Sequence, residues 1–299
     1  MLYDIRLKIT HRYDHPAGNS RHLLRVMPKS IPGRQRVLAV LLEITPHPDE
    51  RSDSLDFFGN AVTAVSHLEP HDEMVLSMSC RVDVAATQAL LDVSAAVEAL
   101  PAQIAELRDV SPASPVHFLG PSPRLTANSE IADFAAQVVS QSESTVRAVM
   151  RIGEALHARM TFDPRATTVD TDARDAFRQS RGVCQDYTHI MILALRAHGI
   201  PAGYVSGFLR TIPPPGQERL EGADAMHAWV RAWCGQEQGW IEYDPTNATL
   251  VGSDHIVLGY GRDYADISPV VGHLRLSGGS ANAQAVDVVP VGYSVAPPV

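Results

Sequence analysis

Three residues of types that cooperate in nucleophilic catalysis lie in contexts that could bring them together. Cys184 opens the pattern of a buried helix, His227 lies within the segment Met-His-Ala-Trp, and Asp244 immediately precedes Pro245. A thiol becomes an effective nucleophile when a neighbouring imidazole takes its proton, and a carboxylate can orient that imidazole. The sequence therefore predicts a Cys/His/Asp site, provided that the fold brings the three side chains into contact.

The segment that begins at Cys184 has the pattern of a helix that is buried on most sides. Its apolar residues at helical spacing are Val183, Tyr187, Ile190, Met191, Ala194 and Ala197. Gly182 suits the start of this helix, and Gly199 followed by Pro201 is a stop signal. We therefore place Cys184 in the first turn, where unpaired backbone N–H groups and the helix dipole favour an anion. The residues that follow, 202–209, have the pattern of a strand.

Strand parity tests whether His227 and Asp244 can meet. If residues 226–234 and 239–245 form an antiparallel hairpin, a loop with an even number of residues keeps both side chains on one face. A two-residue loop places them directly opposite each other and a four-residue loop places them diagonally, whereas an odd loop separates them. The opposite face would carry Ala228, Val230, Ala232, Cys234, Ile241 and Tyr243. Because that second set is apolar enough to form a core, the pattern favours a contact between His227 and Asp244.

The rest of the chain divides into three predicted regions. Residues 1–85 alternate apolar and polar side chains as β-strands do, which predicts an all-β N-terminal domain. Residues 86–125 are rich first in Ala and Leu and then in Pro, which predicts a helical linker interrupted at Pro101. Residues 126–299 would form the catalytic domain. Within it, the Pro-Pro-Pro-Gly segment at 213–216 cannot join a sheet, and we expect it to form a rim of the site.

Composition limits the class of protein. The 299 residues are 45% hydrophobic and 20% charged, which are ordinary values for globular domains. A net charge of −9 argues against nucleic acid or an anionic membrane as a partner. Three widely spaced cysteines do not make a disulfide framework and favour a reducing compartment. The N-terminus alternates like a strand and lacks the apolar core of a secretory signal, so we expect a cytoplasmic location.

Three blocks in the order found here resemble the signature blocks of the transglutaminase-like superfamily. The blocks are residues 182–187, 224–229 and 239–247. Flanking residues resemble bacterial members that join a β-rich N-terminal region to this core. These flanking residues are Leu24, Arg25, Pro28, Asp56, Gly59, Asn60, Pro70 and His71 before the core, and 261–264, Ser268 and Pro269 after it. The resemblance covers nearly the whole chain.

The resemblance implies an α+β protein whose papain-like core packs a central helix on an antiparallel sheet. It also implies that Cys184 is the nucleophile, His227 the general base and acid, and Asp244 the residue that orients the imidazole. The superfamily includes cross-linking enzymes, peptidases, amidases and inactive members, so the resemblance alone does not choose among these activities.

We expect the thiolate to attack the carbonyl of a peptide or protein amide and to form a thioester acyl-enzyme. The backbone N–H of Cys184 is the expected oxyanion donor. The acyl acceptor could be water, as in a peptidase or amidase, or an amine, as in a transglutaminase. We favour water because nothing in the sequence identifies an amine site. A non-catalytic binding protein on the same fold is the rival hypothesis, which the intact triad disfavours, and the oligomeric state stays open.

Two tryptophans and two cysteines have both a functional and a packing interpretation. Trp229 and Trp240 share the predicted strand face of His227, and we expect them to line the substrate groove, although core packing explains them equally well. Cys80 and Cys234 lie on apolar strand faces, so we expect them to be buried and inert.

Metal binding has weaker support in the sequence. Of thirteen histidines, only the pairs His67/His71 and His11/His15 have suggestive spacing. In a strand, a four-residue interval does not place two ligands on one side as it does on a helix. The chain also lacks a paired-cysteine zinc module, so we expect no cofactor and no required metal.

Overall fold

The computed structural model describes residues 1–86, 89–211, 222, 224–275 and 278–292. The predicted rim loop at 213–216 lies outside these residues. The strands are β1 Leu2–Leu24, β2 Gln35–Thr45, β3 Glu50–Leu55, β4 Ala61–His67, β5 His71–Val84, β6 Thr161–Phe162, β7 Arg181–Gly182, β8 Ala202–Leu209, β9 Ala225–Trp233, β10 Trp240–Asp244, β11 Thr249–Leu250, β12 His255–Gly261, β13 Val270–Arg275 and β14 Ser280–Pro290. The helices are α1 Leu100–Glu106, α2 Ser129–Ala136, α3 Thr145–Arg159, α4 Ala173–Gln179, α5 Cys184–Ala197 and α6 Tyr264–Ile267, and short 3-10 turns lie at Val97–Ala99 and Pro115–Phe118.

The first sheet is antiparallel and has the order β2-β5-β1-β4-β3. Its central strand β1 shows the predicted alternation, because Ile5, Leu7 and Ile9 are buried while Arg6 and Lys8 are exposed. Apolar side chains that alternate in this way build one buried face per strand. The predicted β-rich N-terminal region is therefore confirmed.

The C-terminal strands return to this first sheet. β14 pairs with β1 from Tyr3 opposite Pro290 to Tyr13 opposite Ser280, and β13 pairs with the far end of β1. The segment 126–299, predicted as one catalytic domain, thus contains a tail that hydrogen-bonds to the N-terminal sheet. Strand pairing between the two chain ends leaves no signal in local sequence patterns, so the prediction missed it.

The second sheet is also antiparallel and has the order β11-β10-β9-β8-β12. Helix α5 packs on one of its faces, and the apolar residues predicted for that face lie in the shared core: Ala228, Val230, Ala232, Cys234, Ile241 and Tyr243 are each at most 6% exposed. The helix begins at Cys184 and is followed by Gly199 with φ +73°, as the stop signal predicts. The central helix on an antiparallel sheet is therefore confirmed.

The predicted interruption of a helix at Pro101 is not observed. Pro101 lies instead in the first turn of α1. A proline is tolerated there because the first helical N–H groups have no intrahelical acceptor. Within the described residues, no helix combines the length and the apolarity that a membrane span requires.

The two sheets share an apolar interface. Phe208 of β8, together with Ile256 and Leu258 of β12, lies in the core that surrounds β1 and β5. The Gln35 amide reinforces this contact, donating to the Val257 carbonyl at 2.7 Å and accepting from the Val257 N–H at 2.8 Å. The N-terminal region thus packs directly against the sheet that carries His227 and Asp244.

Candidate active site

Cys184 is the first residue of α5, and contacts of Asp186 and Gly182 fix its position. The Asp186 carboxylate accepts a hydrogen bond from the Val183 N–H at 2.8 Å and another from the Thr167 hydroxyl at 2.7 Å. A Cβ on Gly182 would lie 2.5 Å from the Asp186 carboxylate, so only glycine permits this close approach. These contacts hold the chain where it enters the helix and leave the Cys184 side chain partly exposed.

His227 and Asp244 are in direct contact. In the β9–β10 hairpin Trp233 pairs with Trp240, and the Cys234 N–H bonds to the Gly239 carbonyl across residues 235–238. This is the four-residue form of the predicted hairpin, which places His227 and Asp244 diagonally on one face. The His227 Nε2 atom lies 2.7 Å from Asp244 Oδ2. The parity prediction is therefore confirmed.

The Asp244 carboxylate is fully buried and accepts several hydrogen bonds. Its Oδ1 atom accepts from the backbone N–H groups of Thr246 at 2.9 Å and Asn247 at 3.2 Å, and Oδ2 accepts from the Asn247 amide at 2.7 Å. Burial raises the pKa of Asp244, but the hydrogen bonds from His227, His255 and Asn247 outweigh burial and hold the pKa well below its usual range. The carboxylate therefore stays ionised beside the imidazole.

His255 is a fourth member of this group that the sequence did not identify. Its Nε2 atom lies 3.1 Å from Asp244 Oδ2, and its Nδ1 atom accepts a hydrogen bond from the Gly252 N–H at 3.3 Å. An Nδ1 atom that accepts must be unprotonated, so His255 is the neutral imidazole that donates through Nε2. The apolar run after His255 indicates a strand, but only the observed pairing of β12 with β8 brings its first residue to Asp244.

His227 hydrogen-bonds to Asp244 and interacts electrostatically with Cys184. Burial lowers the pKa of His227, whereas the hydrogen bond with Asp244 and the interaction with Cys184 raise it, with a net value of about 10. Because Nε2 bonds to Asp244, Nδ1 is the ring nitrogen left for Cys184. The imidazolium form is favoured at neutral pH, so the site can hold the Cys184 proton on His227 while sulfur attacks a carbonyl.

The structure does not support Trp229 as a wall of a substrate groove. Trp229 is 0% exposed, and its indole N–H donates to Glu242. It lies on the face of the second sheet opposite α5, packed with Val205 and Val257. That prediction was wrong because sharing a strand face with His227 does not guarantee access to solvent.

Trp240 is half-buried and has packing partners on its ring. The Arg231 guanidinium carbon lies 3.8 Å from the ring centroid, and the Phe118 ring makes an edge contact at 5.1 Å. Its indole N–H donates to the Ala113 carbonyl at 2.9 Å. These contacts explain the residue by packing, and its role in substrate binding stays a prediction.

One group of potential metal ligands coincides with the site. The donor atoms of His227, Asp244 and His255 all lie within 4.8 Å of one another. These same atoms hydrogen-bond to each other through Asp244 Oδ2, as a nucleophile-activating group requires.

The three cysteines are expected to differ sharply in reactivity. Burial raises the pKa of Cys80 to about 12 and also raises that of Cys234, and these residues are 7% and 0% exposed. We expect iodoacetamide at pH 6 to alkylate Cys184 at least about tenfold faster than Cys80 or Cys234, because Cys184 is accessible and lies beside the His227 imidazolium. Mass spectrometry of the digested protein locates the label. Equal labelling of the three cysteines would contradict the assignment of Cys184 as the nucleophile.

Family models and solved structures agree with this architecture. The transglutaminase-like superfamily model matches residues 132–245, and the model of the bacterial transglutaminase-like N-terminal region matches residues 3–83. The fold is similar to that of a Cytophaga hutchinsonii protein described as a candidate cysteine protease. The TM-score is 0.76 at 21% identity, over 99% of this chain and 93% of that chain.

Relatives in sequence extend over most of the chain. An uncharacterized protein of Mycobacterium tuberculosis is 35% identical over 272 residues, which are 86% of this chain and 83% of that protein. A Pseudomonas aeruginosa protein-glutamine gamma-glutamyltransferase is 34% identical over 117 residues, which are 39% of this chain and 17% of that enzyme. Both family models match, and the Mycobacterium tuberculosis relative is similar over most of the chain. The chain therefore belongs to the transglutaminase-like superfamily and carries the bacterial transglutaminase-like N-terminal region.

Proposed function

We propose that this protein is a cysteine-nucleophile enzyme that hydrolyses amide bonds of peptides or proteins through a thioester acyl-enzyme. The observation that supports the proposal is the hydrogen bond between His227 and the buried Asp244 carboxylate beside Cys184, whose thiol lies at the first residue of α5. Such a group has no evident structural use, because a fully apolar hairpin and helix start would pack without a buried carboxylate.

The proposed reaction has two halves. The Cys184 sulfur forms a bond to the amide carbonyl while its proton lies on His227, and the developing oxyanion is stabilised by the Cys184 backbone N–H. The C–N bond then breaks, and the amine leaves with the proton that His227 returns. In the second half, His227 takes a proton from water, whose oxygen adds to the thioester. The C–S bond then breaks and His227 returns its proton to sulfur, which releases a carboxylic acid and restores the free thiol.

Transfer to an amine is the second candidate function. It is favoured by the similarity between the core of this chain and the Pseudomonas aeruginosa enzyme named protein-glutamine gamma-glutamyltransferase. In both reactions the thioester is attacked by whichever nucleophile the site admits, so the triad itself does not decide between them.

The acceptor is tested by supplying glutamine-bearing peptides with and without a labelled primary amine. We expect release of ammonia or of a shortened peptide, with little incorporation of the amine at millimolar concentration. If amine incorporation is the dominant reaction, the protein acts as a transglutaminase and the proposed hydrolase activity is wrong. If neither product forms from a broad peptide set while Cys184 still reacts with iodoacetamide, the proposal fails in favour of a binding protein.

His255 is proposed as a positioning residue for Asp244. Replacing it by phenylalanine removes a hydrogen bond to a buried carboxylate, which is worth about 1.5–3 kcal/mol. We expect kcat to fall roughly tenfold to a hundredfold while KM changes little, and the glutamine variant, whose amide can still donate, to recover part of the rate. Steady-state kinetics on the peptide found above provides the measurement.

A matched control for His255 is His189, which is also buried but bonds to the Tyr264 N–H at 3.2 Å. Replacing His189 by glutamine is expected to affect thermal stability without a comparable loss of kcat. Equal losses of kcat in the two variants would indicate that His255 only supports the fold.

A further inference from the structure

Four histidines of the first sheet form two ring pairs, one on β1 and one at the two ends of the β4–β5 connection. We call His11, His22, His67 and His71 the histidine cluster. The ring centroids of His67 and His71 are 4.9 Å apart, and those of His11 and His22 are 6.5 Å apart. His22 and His67 point to one face, because β1 pairs with β4 through Ser20 opposite His67 and His22 opposite Val65.

Three ring nitrogens of the cluster are buried without a hydrogen-bond partner. They are Nε2 of His11, Nδ1 of His22 and Nε2 of His71. His22 as a residue is only 4% exposed. Buried polar atoms are almost always hydrogen-bonded, and leaving one unpaired costs about 1–3 kcal/mol. Three such nitrogens within one cluster indicate a missing common partner.

In His11 and His71 the other ring nitrogen, Nδ1, is hydrogen-bonded, and this leaves a lone pair on Nε2. Nδ1 of His11 lies 2.7 Å from the Asn282 side-chain oxygen, and Nδ1 of His71 lies 3.1 Å from the Glu69 carbonyl. These oxygens accept hydrogen bonds, so each Nδ1 carries the proton and each Nε2 carries a lone pair. Metal-binding histidines characteristically donate their other N–H to a carbonyl or carboxylate oxygen in this way.

His67 and His22 complete the arrangement. Nε2 of His67 donates to the Pro46 carbonyl at 2.9 Å, which leaves its Nδ1 unprotonated and 3.5 Å from the Ser20 hydroxyl, a contact that a metal ion would replace. Gly272 lies opposite His22 on β13, and a Cβ at this position would be 2.7 Å from His22 Nε2.

We propose that the histidine cluster binds one divalent transition-metal ion through its imidazole nitrogens. Imidazole ligands suit Zn²⁺, Cu²⁺ and Ni²⁺, and Zn²⁺ is the probe of choice. Two imidazoles on one tetrahedral Zn²⁺, each at about 2.1 Å, have ring centroids roughly 5 Å apart. The 4.9 Å spacing of His67 and His71 matches this value, whereas the rings of His11 and His22 are 6.5 Å apart and stacked, so both would have to turn and approach the ion.

Metal binding at the cluster involves closure of its side chains. Among the described residues, donor atoms of three side chains already lie within 4.8 Å of one another only at His227, Asp244 and His255. The ion would draw the cluster imidazoles together and clamp the β4–β5 connection onto β1, where the β1–β5 register shifts between Arg12 and Ala17. Its role is structural, and it does not depend on the proposed amidase activity.

The test uses the full chain without a polyhistidine tag, freed of metal by chelator. Zn²⁺ is titrated against a colorimetric chelator at pH 7.5, and the melting temperature is measured with and without Zn²⁺. We expect one Zn²⁺ per chain and a higher melting temperature when the ion is bound. His22→Gln and His71→Gln should each weaken binding at least about tenfold, since each removes a ligand. If His22→Gln fails to fold, the half-buried His11→Gln takes its place.

Two controls separate this site from other metal-binding groups. His273→Gln and His15→Gln alter exposed histidines close to the cluster and should bind Zn²⁺ as the wild type does. His255→Gln alters the group around Asp244 and should also leave the binding unchanged. The proposal is overturned if the wild type binds no Zn²⁺, if His22→Gln and His71→Gln bind with unchanged affinity, or if only His255→Gln loses the ion.

Discussion

Replacement of Cys184 by alanine is expected to lower kcat/KM for the amide donor by about 10⁴-fold or more. Without the sulfur no thioester can form, and the remaining groups supply only binding and oxyanion stabilisation. His227 and Asp244 stay in place in this variant, since their contact does not involve Cys184. The measurement is initial rates of product release with a peptide that the wild type cleaves.

The control is Cys234→Ala, which alters a buried cysteine of the same core. Its sulfur contacts the Ala232 carbonyl at 3.8 Å and lies away from the proposed reacting atoms. We expect this variant to keep the wild-type rate at a temperature where it stays folded. A Cys184→Ala protein that retained more than about one tenth of the activity would exclude covalent catalysis by this thiol.

Replacement of Arg34 by methionine is expected to reduce the free energy of unfolding by about 3–5 kcal/mol, because it leaves a buried charge without its partner. Arg34 makes two hydrogen bonds to the Glu242 carboxylate, whose side chain is 9% exposed. Glu242 also accepts from Trp229 and, at 3.1 Å, from the Tyr260 hydroxyl. Urea unfolding at pH 7 measures the loss.

The pH dependence of this loss has a defined sign. Burial raises the pKa of Glu242, but Arg34, Trp229 and Arg231 together lower it more, so the wild type gains stability from this group above its unfolded pKa and loses it as the pH falls. In Arg34→Met the Arg34 guanidinium is lost while Arg231 and Trp229 remain, so burial is opposed less strongly and the folded pKa of Glu242 rises. Protonation then stabilises the variant as the pH falls, so its deficit should shrink between pH 7 and pH 5.

Two further variants separate charge burial from other causes. Arg34→Met combined with Glu242→Gln removes both charges and should recover part of the stability. Arg36→Met breaks an exposed pair with Asp83 at 3.6 Å and should cost less than about 1 kcal/mol. A deficit in Arg34→Met no larger than that of Arg36→Met would contradict the importance of the buried pair.

Local sequence patterns predicted the parts of the site that depend on one helix or one hairpin. The helix start at Cys184 follows from glycine placement and apolar spacing. The contact between His227 and Asp244 follows from strand parity, because side chains on a hairpin alternate with a period of two residues. Both features depend on neighbours in sequence, and the structure contains both.

Features that depend on the order of strands in a sheet escaped the sequence analysis. His255 reaches Asp244 only because β12 lies beside β8, and Arg34 reaches Glu242 only because the N-terminal region packs on the second sheet. The prediction for Trp229 was wrong because the N-terminal region packs on the second sheet and buries the face that a hairpin alone would expose. Period and parity predict which side of a strand a residue occupies, but not what covers that side.

The pairing of β1 with both β5 and β14 affects how the protein can be synthesised. Tyr3 lies opposite Val82 on one side and Pro290 on the other, so both edges of β1 are paired only once β14 has been synthesised. Contacts at such sequence separation slow folding, and an open strand edge invites pairing with other chains until it is filled. Because the first sheet also packs against the sheet that carries His227, we expect the packing between the two sheets to be completed only after β14 has been synthesised.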